Sequence, residues 1–195
     1  MPVHRVSGQV MTAIAQTVTP QGVVAICRFL DVPLTLEPAP MLVALLAEVR
    51  DPGNAGTVIR VADAAGADAV VLTRSSVDLY NPKVARASAG SVFHLPVTVE
   101  AHVADTVAAL RGAGVQVLAA DGAGPADLDA LDDAGELARP TAWLFGNEAW
   151  GLPAELRALA DQVVRVPIHG RAESLNLATA AAVCLYASAR AQRRP

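Results

Sequence analysis

The chain has 195 residues, enough to bury a core, and its length favours one domain with a short additional segment. A formal net charge of −4 and a pI near 5.5 argue against a protein that binds polyanions non-specifically, although a local basic patch is compatible with both values. With 53% apolar and 17% charged residues, the sequence predicts a dense interior and is compatible with self-association.

The sequence contains no signal for a membrane or a metal. No apolar run reaches the length of a membrane span, and the N-terminus lacks the charged-then-apolar pattern of a signal peptide, so a soluble cytoplasmic protein is expected. Cys27 and Cys184 lie in apolar stretches without the spacing of metal ligands. We therefore expect two buried free thiols in a reducing compartment and no bound metal.

The first forty residues predict little independent structure. A loose helical pattern covers Ser7 to Val18, and a turn leads from there into an apolar run at Val23 to Cys27 that predicts a strand. The three prolines between Pro33 and Pro40 are typical of a linker. Because one helix and one strand cannot form a core, residues 1–40 are predicted to be the tail of a domain missing from this chain or an arm that packs on the main domain.

From Met41 onward, short apolar runs alternate with helical patterns. The predicted strands are Leu42 to Val49, Ala69 to Leu72, Val115 to Ala120, Ala142 to Phe145 and Val163 to Val166. The predicted helices are Ala55 to Ala65, Pro82 to Ala89, His102 to Arg111, Pro153 to Ala160 and Leu175 to Gln192. This alternation predicts that residues 41–195 form one α/β domain, with a mostly parallel sheet and helices on both faces.

Ligands of open α/β sheets bind beyond the carboxyl ends of the strands, so the strand exits are the places to search. The first unusual exit runs from Arg50 to Arg60 and is rich in turn residues. We expect Asn54 to cap the following helix, which places Arg60 almost two turns into it. Two interpretations fit this pattern equally well. Asn54 and Arg60 are either a helix cap and a solvated side chain, or a polar pair beside a phosphate or ribose.

Two further exits carry polar residues. Glu148 directly follows a strand and lies between Gly146 and Gly151, whose small size lets the backbone approach a ligand, so we favour a functional carboxylate over a surface one. The last exit, Val164 to Thr179, leaves a strand at a proline and reaches a helix that Ser174 is expected to cap. Taken alone, the polar residues of that helix start indicate a cap rather than a ligand site.

A fourth exit has some features of a dinucleotide-binding turn. Gly122 and Gly124 follow a strand, but the third glycine is absent and Pro125 interrupts the required helix entry. A Rossmann dehydrogenase or an ordinary Rossmann methyltransferase is therefore disfavoured. This strand end is still a candidate wall of a nucleoside pocket.

Taken in order, three motifs resemble those of the SpoU (TrmH-like) family of SPOUT RNA methyltransferases. They are Asn54-x-Gly56-x-x-x-Arg60, Gly146-Asn147-Glu148-x-x-Gly151-Leu152 and Pro167-Ile168-x-Gly170-x-x-x-Ser174-Leu175-Asn176. The resemblance covers Leu42 to Ala189. The stretch from Asp78 to Phe93 is similar to a segment of members that modify ribosomal RNA, and Thr19 to Gly22 is similar to the end of the small RNA-binding domain found in those members.

This resemblance implies 2′-O-methylation of a ribose in structured RNA, with S-adenosylmethionine as the donor, and the segment around Asn81 to Gly90 favours large-subunit ribosomal RNA as the substrate. It also implies a homodimer, and a C-terminal trefoil knot that is an exception to unknotted topology. The implied cofactor-binding residues, acting through their backbone, are Leu118, Ala119, Ala120, Gly146, Ile168 and Leu175. The residues implied to contact RNA are Lys83, Arg86 and Ser88.

The resemblance assigns Arg60 to the 2′-hydroxyl, with the remaining motif residues positioning Arg60, the cofactor or the RNA; these are Asn54, Glu148, Ser174 and Asn176. Because a guanidinium loses its proton only above a pH of about 12, we expect Arg60 to orient the ribose and stabilise charge unless an RNA phosphate relays the proton. Two alternatives stay open: a transfer RNA substrate, and a non-catalytic RNA-binding or assembly factor on the same fold.

Overall fold

Seven parallel strands form one sheet in the computed structural model, which describes residues 2–15 and 17–194. The strands are β1 (Leu42–Leu46), β2 (Ala69–Thr73), β3 (Val97–Ala101), β4 (Gln116–Ala120), β5 (Ala126–Asp127), β6 (Thr141–Phe145) and β7 (Gln162–Arg165). Their order across the sheet is β3-β2-β1-β6-β4-β7-β5, and each neighbouring pair is parallel. Residues Leu46, Phe145 and Ala120 lie level with one another, so the carboxyl ends of β1, β6 and β4 share one edge.

Helices cover both faces of the sheet. They are α1 (Gly8–Ala15), α2 (Pro52–Ala65), α3 (Pro82–Ala87), α4 (Val103–Gly112), α5 (Leu128–Asp133), α6 (Ala154–Arg157) and α7 (Leu177–Ala191), with 3₁₀ turns at Ser91–Phe93 and Glu136–Ala138. Alternate residues of β1 face opposite sides: Leu42, Ala44 and Leu46 pack with α2, α5 and α7, whereas Val43 and Leu45 pack with α4 and α6. The predicted α/β fold is therefore confirmed.

Five of the seven strands were predicted, with ends that differ by a few residues. β1 ends at Leu46 rather than Val49, and β3, β5 and α5 were not predicted. The strand predicted at Val23 to Cys27 is wrong: this segment is not paired to the sheet, and Val23 and Ile26 are 81% and 97% exposed. The apolar side chains of this run are therefore not buried in the core.

Two predicted helix caps are also wrong. α2 begins at Pro52, and its cap is Asp51, whose Oδ1 accepts a hydrogen bond of 2.8 Å from the backbone N–H of Asn54. α7 begins at Leu177, and its cap is Asn176, whose Oδ1 accepts from the N–H groups of Ala178 and Thr179. In both cases the helix starts at a different residue from the one expected, and the polar side chain directly before that start provides the cap.

The segment from Leu30 to Leu36 runs along the outer edge of β3. The backbone N–H of Val32 donates to the carbonyl of Val97 at 2.9 Å, and the hydroxyl of Thr98 donates to the carbonyl of Val32 at 2.8 Å. Leu34 and Leu36 pack against the core on the α4 side. We call Leu30 to Leu36 the edge segment, because it occupies hydrogen-bonding groups of an edge strand.

The two cysteines differ in their burial. Cys184 is buried in α7, but Cys27 is exposed, so its predicted burial is wrong. Residues 2–15 and 17–194 include no helix with both the length and the apolar character that crossing a membrane requires. In the same residues no three metal-ligating side chains come together.

Candidate active site

Three side chains, one from each motif, form a hydrogen-bonded row at the carboxyl edge of the sheet. The amide nitrogen of Asn54 donates to Oε1 of Glu148 at 3.3 Å, and the amide nitrogen of Asn176 donates to Oδ1 of Asn54 at 3.1 Å. The residues are 94 and 122 positions apart in sequence. We call Glu148, Asn54 and Asn176 the polar row; the structure thus brings together three of the five predicted catalytic residues.

Glu148 also binds the backbone that leaves β1. Its Oε2 accepts from the N–H of Arg50 at 3.3 Å and its Oε1 from the N–H of Asp51 at 3.1 Å. The carboxylate therefore fixes the exit of β1 relative to the exit of β6. A carboxylate suits this position because it is an acceptor only, with room for several N–H groups.

The loop after β6 is closed on itself. The backbone groups of Asn147 and Gly151 exchange two hydrogen bonds of 2.9 Å, and the buried Asn147 side chain donates to the carbonyl of Glu48 at 2.8 Å. A Cβ on Gly146 would lie 2.5 Å from the backbone of Gly151, which adopts a φ of +67°. The two glycines are thus required for the tight turn that presents Glu148.

Gly56, the glycine of the first motif, lies where α2 meets α3. A Cβ there would lie 2.5 Å from the Val84 carbonyl oxygen and 2.6 Å from the Ala87 Cβ. Gly56 therefore lets α2 and α3 pack in close contact. This contact sets the position of α3 beside the start of α2.

The residues predicted to contact RNA divide into two groups. Lys83 and Arg86 are exposed on α3, and the Lys83 ammonium lies 3.6 Å from the carboxylate of Asp51. The hydrogen bond from the Asn54 N–H is the largest cause of the lowered pKa of Asp51; desolvation opposes it, and the Lys83 charge adds a smaller lowering effect. Ser88 is fully buried and donates to the Ala85 carbonyl, so the structure contradicts a contact between Ser88 and RNA.

Arg60 lies on the exposed side of α2, six residues after Asn54. Six helical residues correspond to about 9 Å along the helix axis. Within the described part of the chain, no ion pair or hydrogen bond joins Arg60 to the polar row. Among the described residues, Arg60 is therefore not in direct polar contact with Glu148, Asn54 or Asn176 of the same chain.

A cavity of about 330 Å³ lies beside the polar row, beyond the ends of β4, β6 and β7. Of the predicted cofactor-binding residues, Ala120, Gly146, Ile168 and Leu175 line it, and Ser174 lies on its wall. Leu118 and Ala119 do not reach the cavity, because they are fully buried inside β4 between β6 and β7. Of the three residues predicted from β4, only Ala120 forms part of the cavity wall.

Sequence reasoning missed several lining residues, notably Asp121, Val166 and Trp150. Asp121 directly follows β4, and its carboxylate accepts from the Ala123 N–H and pairs with Arg157 at 3.5 Å. A signal for Asp121 was present, since it belongs to the strand exit that was considered as a nucleoside pocket. Trp150 had no such signal beyond its place inside the second motif.

The chain is similar in sequence to proteins of one known family. The sequence profile of the SpoU rRNA Methylase family matches residues 41–186. The 23S rRNA (guanosine(2553)-2′-O)-methyltransferase RlmP of Bacillus subtilis is 37% identical over 183 residues, which are 94% of this chain and 71% of that protein.

Two solved structures are similar in fold and in sequence. The AdoMet-bound rRNA methyltransferase from Sinorhizobium meliloti is 38% identical, with a TM-score of 0.82 over 94% of this chain and 70% of that one. AviRb from Streptomyces viridochromogenes, in complex with the cofactor AdoMet, is 38% identical, with a TM-score of 0.68 over 76% of this chain and 59% of that one. Because the family profile extends from β1 into α7 and these relatives exceed 30% identity, the chain belongs to the SpoU rRNA methylase family.

Proposed function

We propose that this chain methylates the 2′-hydroxyl of a ribose in large-subunit ribosomal RNA. RNA 2′-O-methylation from S-adenosylmethionine is the activity of its family, and the Bacillus subtilis relative is a 23S rRNA methyltransferase. The observation that carries the proposal is the polar row, because it joins one residue of each motif at the mouth of a cavity. An RNA substrate also accounts for the exposed Lys83 and Arg86 on α3, which suit phosphate contacts on a protein of negative net charge.

The cavity fits the nucleoside part of the donor. Its apolar wall, made by residues such as Val166, Ile168 and Leu175, suits an adenine ring. The Asp121 carboxylate can accept a hydrogen bond from a ribose hydroxyl. A volume of about 330 Å³ is at the lower end of the range for small-molecule sites. When bound, S-adenosylmethionine supplies an electrophilic methyl group on a sulfonium.

The residues of the chain then have separate tasks. Glu148, Asn54 and Asn176 hold the three strand exits in a fixed arrangement, so that the reacting hydroxyl meets a preorganised site. Arg60 orients the 2′-hydroxyl and stabilises the negative charge that develops on its oxygen, because its guanidinium keeps its proton at neutral pH. Ser174, on the cavity wall, is placed to contact the donor.

A homodimer accommodates the separation of Arg60 from the polar row. Arg60 is exposed and projects from α2, so it is available to a second copy of the chain. In this arrangement each site combines the polar row of one protomer with Arg60 of its partner.

The passage from β7 to α7 forms the trefoil knot typical of the family. A cytoplasmic location accords with a ribosomal RNA substrate.

Replacement of Arg60 by alanine tests the catalytic assignment. We expect Arg60→Ala to lower the rate of labelled methyl transfer at least about a hundredfold, a loss of about 2.7 kcal/mol in transition-state stabilisation. Binding of S-adenosylhomocysteine, measured by calorimetry, should be unchanged. The control is Arg139→Ala, which removes an exposed arginine at the opposite edge of the sheet. A fully active Arg60→Ala variant would exclude the assigned role.

The substrate is tested by incubating the chain with unmodified 23S ribosomal RNA and, separately, with unmodified transfer RNA. We expect methyl incorporation into the ribosomal RNA, at a ribose that resists alkaline cleavage. Incorporation into transfer RNA alone would support the alternative substrate. Binding of RNA and cofactor without any transfer would support a non-catalytic factor on the same fold.

A further inference from the structure

The two tryptophans of the chain lie in opposite environments. Trp143 in β6 is fully buried, and its indole N–H donates to the Ser188 hydroxyl at 2.9 Å. Trp150 lines the cavity and yet is 53% exposed, so it belongs to the rim rather than the interior. A large exposed indole at the mouth of a site is available to a ligand that stacks on it.

Arg50 lies over the ring of Trp150. The centre of its guanidinium is 5.3 Å from the ring centroid, a cation–π distance. Its backbone N–H is held by Glu148, and Trp150 sits in the loop that Asn147 and Gly151 close. Both partners are thus attached to backbone that the site itself fixes, and the pair is organised before any ligand arrives.

The position of this pair selects its ligand. Two peptide steps separate Trp150 from Glu148, so their Cα atoms lie within about 7 Å. Under the proposed function, the polar row receives the ribose of the target nucleotide, and the base of that nucleotide then falls within reach of Trp150. Unpaired RNA bases stack on aromatic rings and on arginine guanidinium planes.

We propose that Trp150 and Arg50 form a stacking platform for the base of the target nucleotide in RNA. This inference rests on the proposed function and adds to it a base-positioning site. The platform holds the base unstacked from its neighbours while its ribose lies at the polar row. Trp150 and Arg50 are positioning residues, because neither is placed at the reacting hydroxyl.

Trp150 also provides a direct readout, since the only other tryptophan is buried. We expect unmodified 23S ribosomal RNA to protect the fluorescence of the wild-type chain from quenching by acrylamide, and S-adenosylhomocysteine alone to give much weaker protection because Trp150 belongs to the rim. In Trp150→Phe, where only Trp143 emits, RNA should change quenching little. Protection by S-adenosylhomocysteine alone as strong as that by RNA would overturn the proposal, because it would assign the exposed face of Trp150 to the cofactor.

Kinetics separate positioning from chemistry. We expect Trp150→Ala to raise the KM for 23S ribosomal RNA roughly 10- to 100-fold, with a smaller change in kcat and an unchanged calorimetric affinity for S-adenosylhomocysteine. Trp150→Phe, the matched control, should retain most of the affinity for RNA because it keeps an aromatic face. An unchanged KM in Trp150→Ala would overturn the platform.

The platform and the proposed function fail in different ways. A wild-type chain that shows RNA protection of Trp150 but no methyl transfer would contradict the proposed function and support the platform. Methyl transfer by the wild type without any protection of Trp150 by RNA would contradict the platform and support the proposed function.

Discussion

Glu148 is the residue on which the site depends most directly. Its carboxylate accepts N–H groups from Arg50, Asp51 and the side chain of Asn54, so one side chain links the exits of β1 and β6 to the start of α2. A glutamine would offer one acceptor oxygen and would turn an NH₂ group toward N–H donors. The chemistry of the second motif therefore needs an acid here for structural reasons, whatever contact Glu148 makes with a substrate.

The two cysteines should differ sharply in reactivity. Burial raises the pKa of the Cys184 thiol to about 12, whereas Cys27 is exposed. Because the thiolate is the reactive form, we expect one fast-reacting thiol in the native chain at pH 8 and two after unfolding, as measured with a chromogenic disulfide reagent. Cys27→Ser should leave no fast-reacting thiol, and rapid labelling of that variant would contradict the burial of Cys184.

The same shift sets a pH dependence. The folded state keeps the Cys184 proton above pH 9.0, the ordinary pKa, whereas the unfolded state releases it. The stability associated with the protonated thiol is therefore complete below about pH 9 and declines as the pH rises toward 12.

Among the helices, the contact of α2 with α3 depends on Gly56. A Cβ there would lie 2.5 Å from the Val84 carbonyl oxygen, so we expect Gly56→Ala to destabilise the protein by about 1 to 3 kcal/mol in urea unfolding. The control is Gly112→Ala in α4, where a Cβ meets nothing within 4 Å and alanine should stabilise by up to about 1 kcal/mol. Equal effects of the two substitutions would show that backbone entropy, rather than the helix contact, determines the response.

Elements with a strong apolar pattern in the sequence were predictable, and elements with a weak apolar pattern were not. β1, β2, β4 and β6 contain continuous apolar runs, because a central parallel strand is buried on both faces. In β7 only Val164 is buried, and the strand was predicted from Val163, Val164 and Val166. β3 lies at the edge, where Glu100 is exposed, and β5 has two residues, so neither carries the expected pattern. α5 is short and rich in aspartate, which weakens its apolar period.

The site was predictable in composition but not in geometry. The motif pattern identified Asn54, Glu148 and Asn176, yet their contacts join residues about a hundred positions apart, which local patterns do not specify. The burial of Ser88 and the place of Trp150 on the cavity rim depend on tertiary packing. The same holds for Leu118 and Ala119, whose position inside β4 keeps them from the cavity.

For the molecule as a whole, the edge segment should stabilise the sheet while the residues before it should not. Removal of residues 2–27, whose apolar side chains are largely exposed, should leave the melting temperature nearly unchanged. Removal of residues 2–36 also removes the hydrogen bond of Val32 to Val97 and the packing of Leu34 and Leu36. We expect a loss of about 3 kcal/mol, or about 6 to 12 °C, by calorimetry.

A comparison of the two truncations isolates the edge segment. Both remove the same exposed residues, so only the longer one uncovers the outer edge of β3. Exposed edge groups promote pairing between chains, and the longer truncation should also aggregate more readily when heated. Equal melting temperatures for the two truncated chains would show that the edge segment contributes nothing to stability.

The polar row can form only late in the synthesis of the chain, because its three residues are far apart in sequence. Asn54 is made early, Glu148 almost a hundred residues later and Asn176 last, and the row needs all three. At about 5 to 20 residues per second, some 6 to 25 seconds pass between the first and the last of them. A nascent chain that already contains β1 and β2 therefore has no complete polar row, and a chain whose translation stops before Asn176 never acquires one.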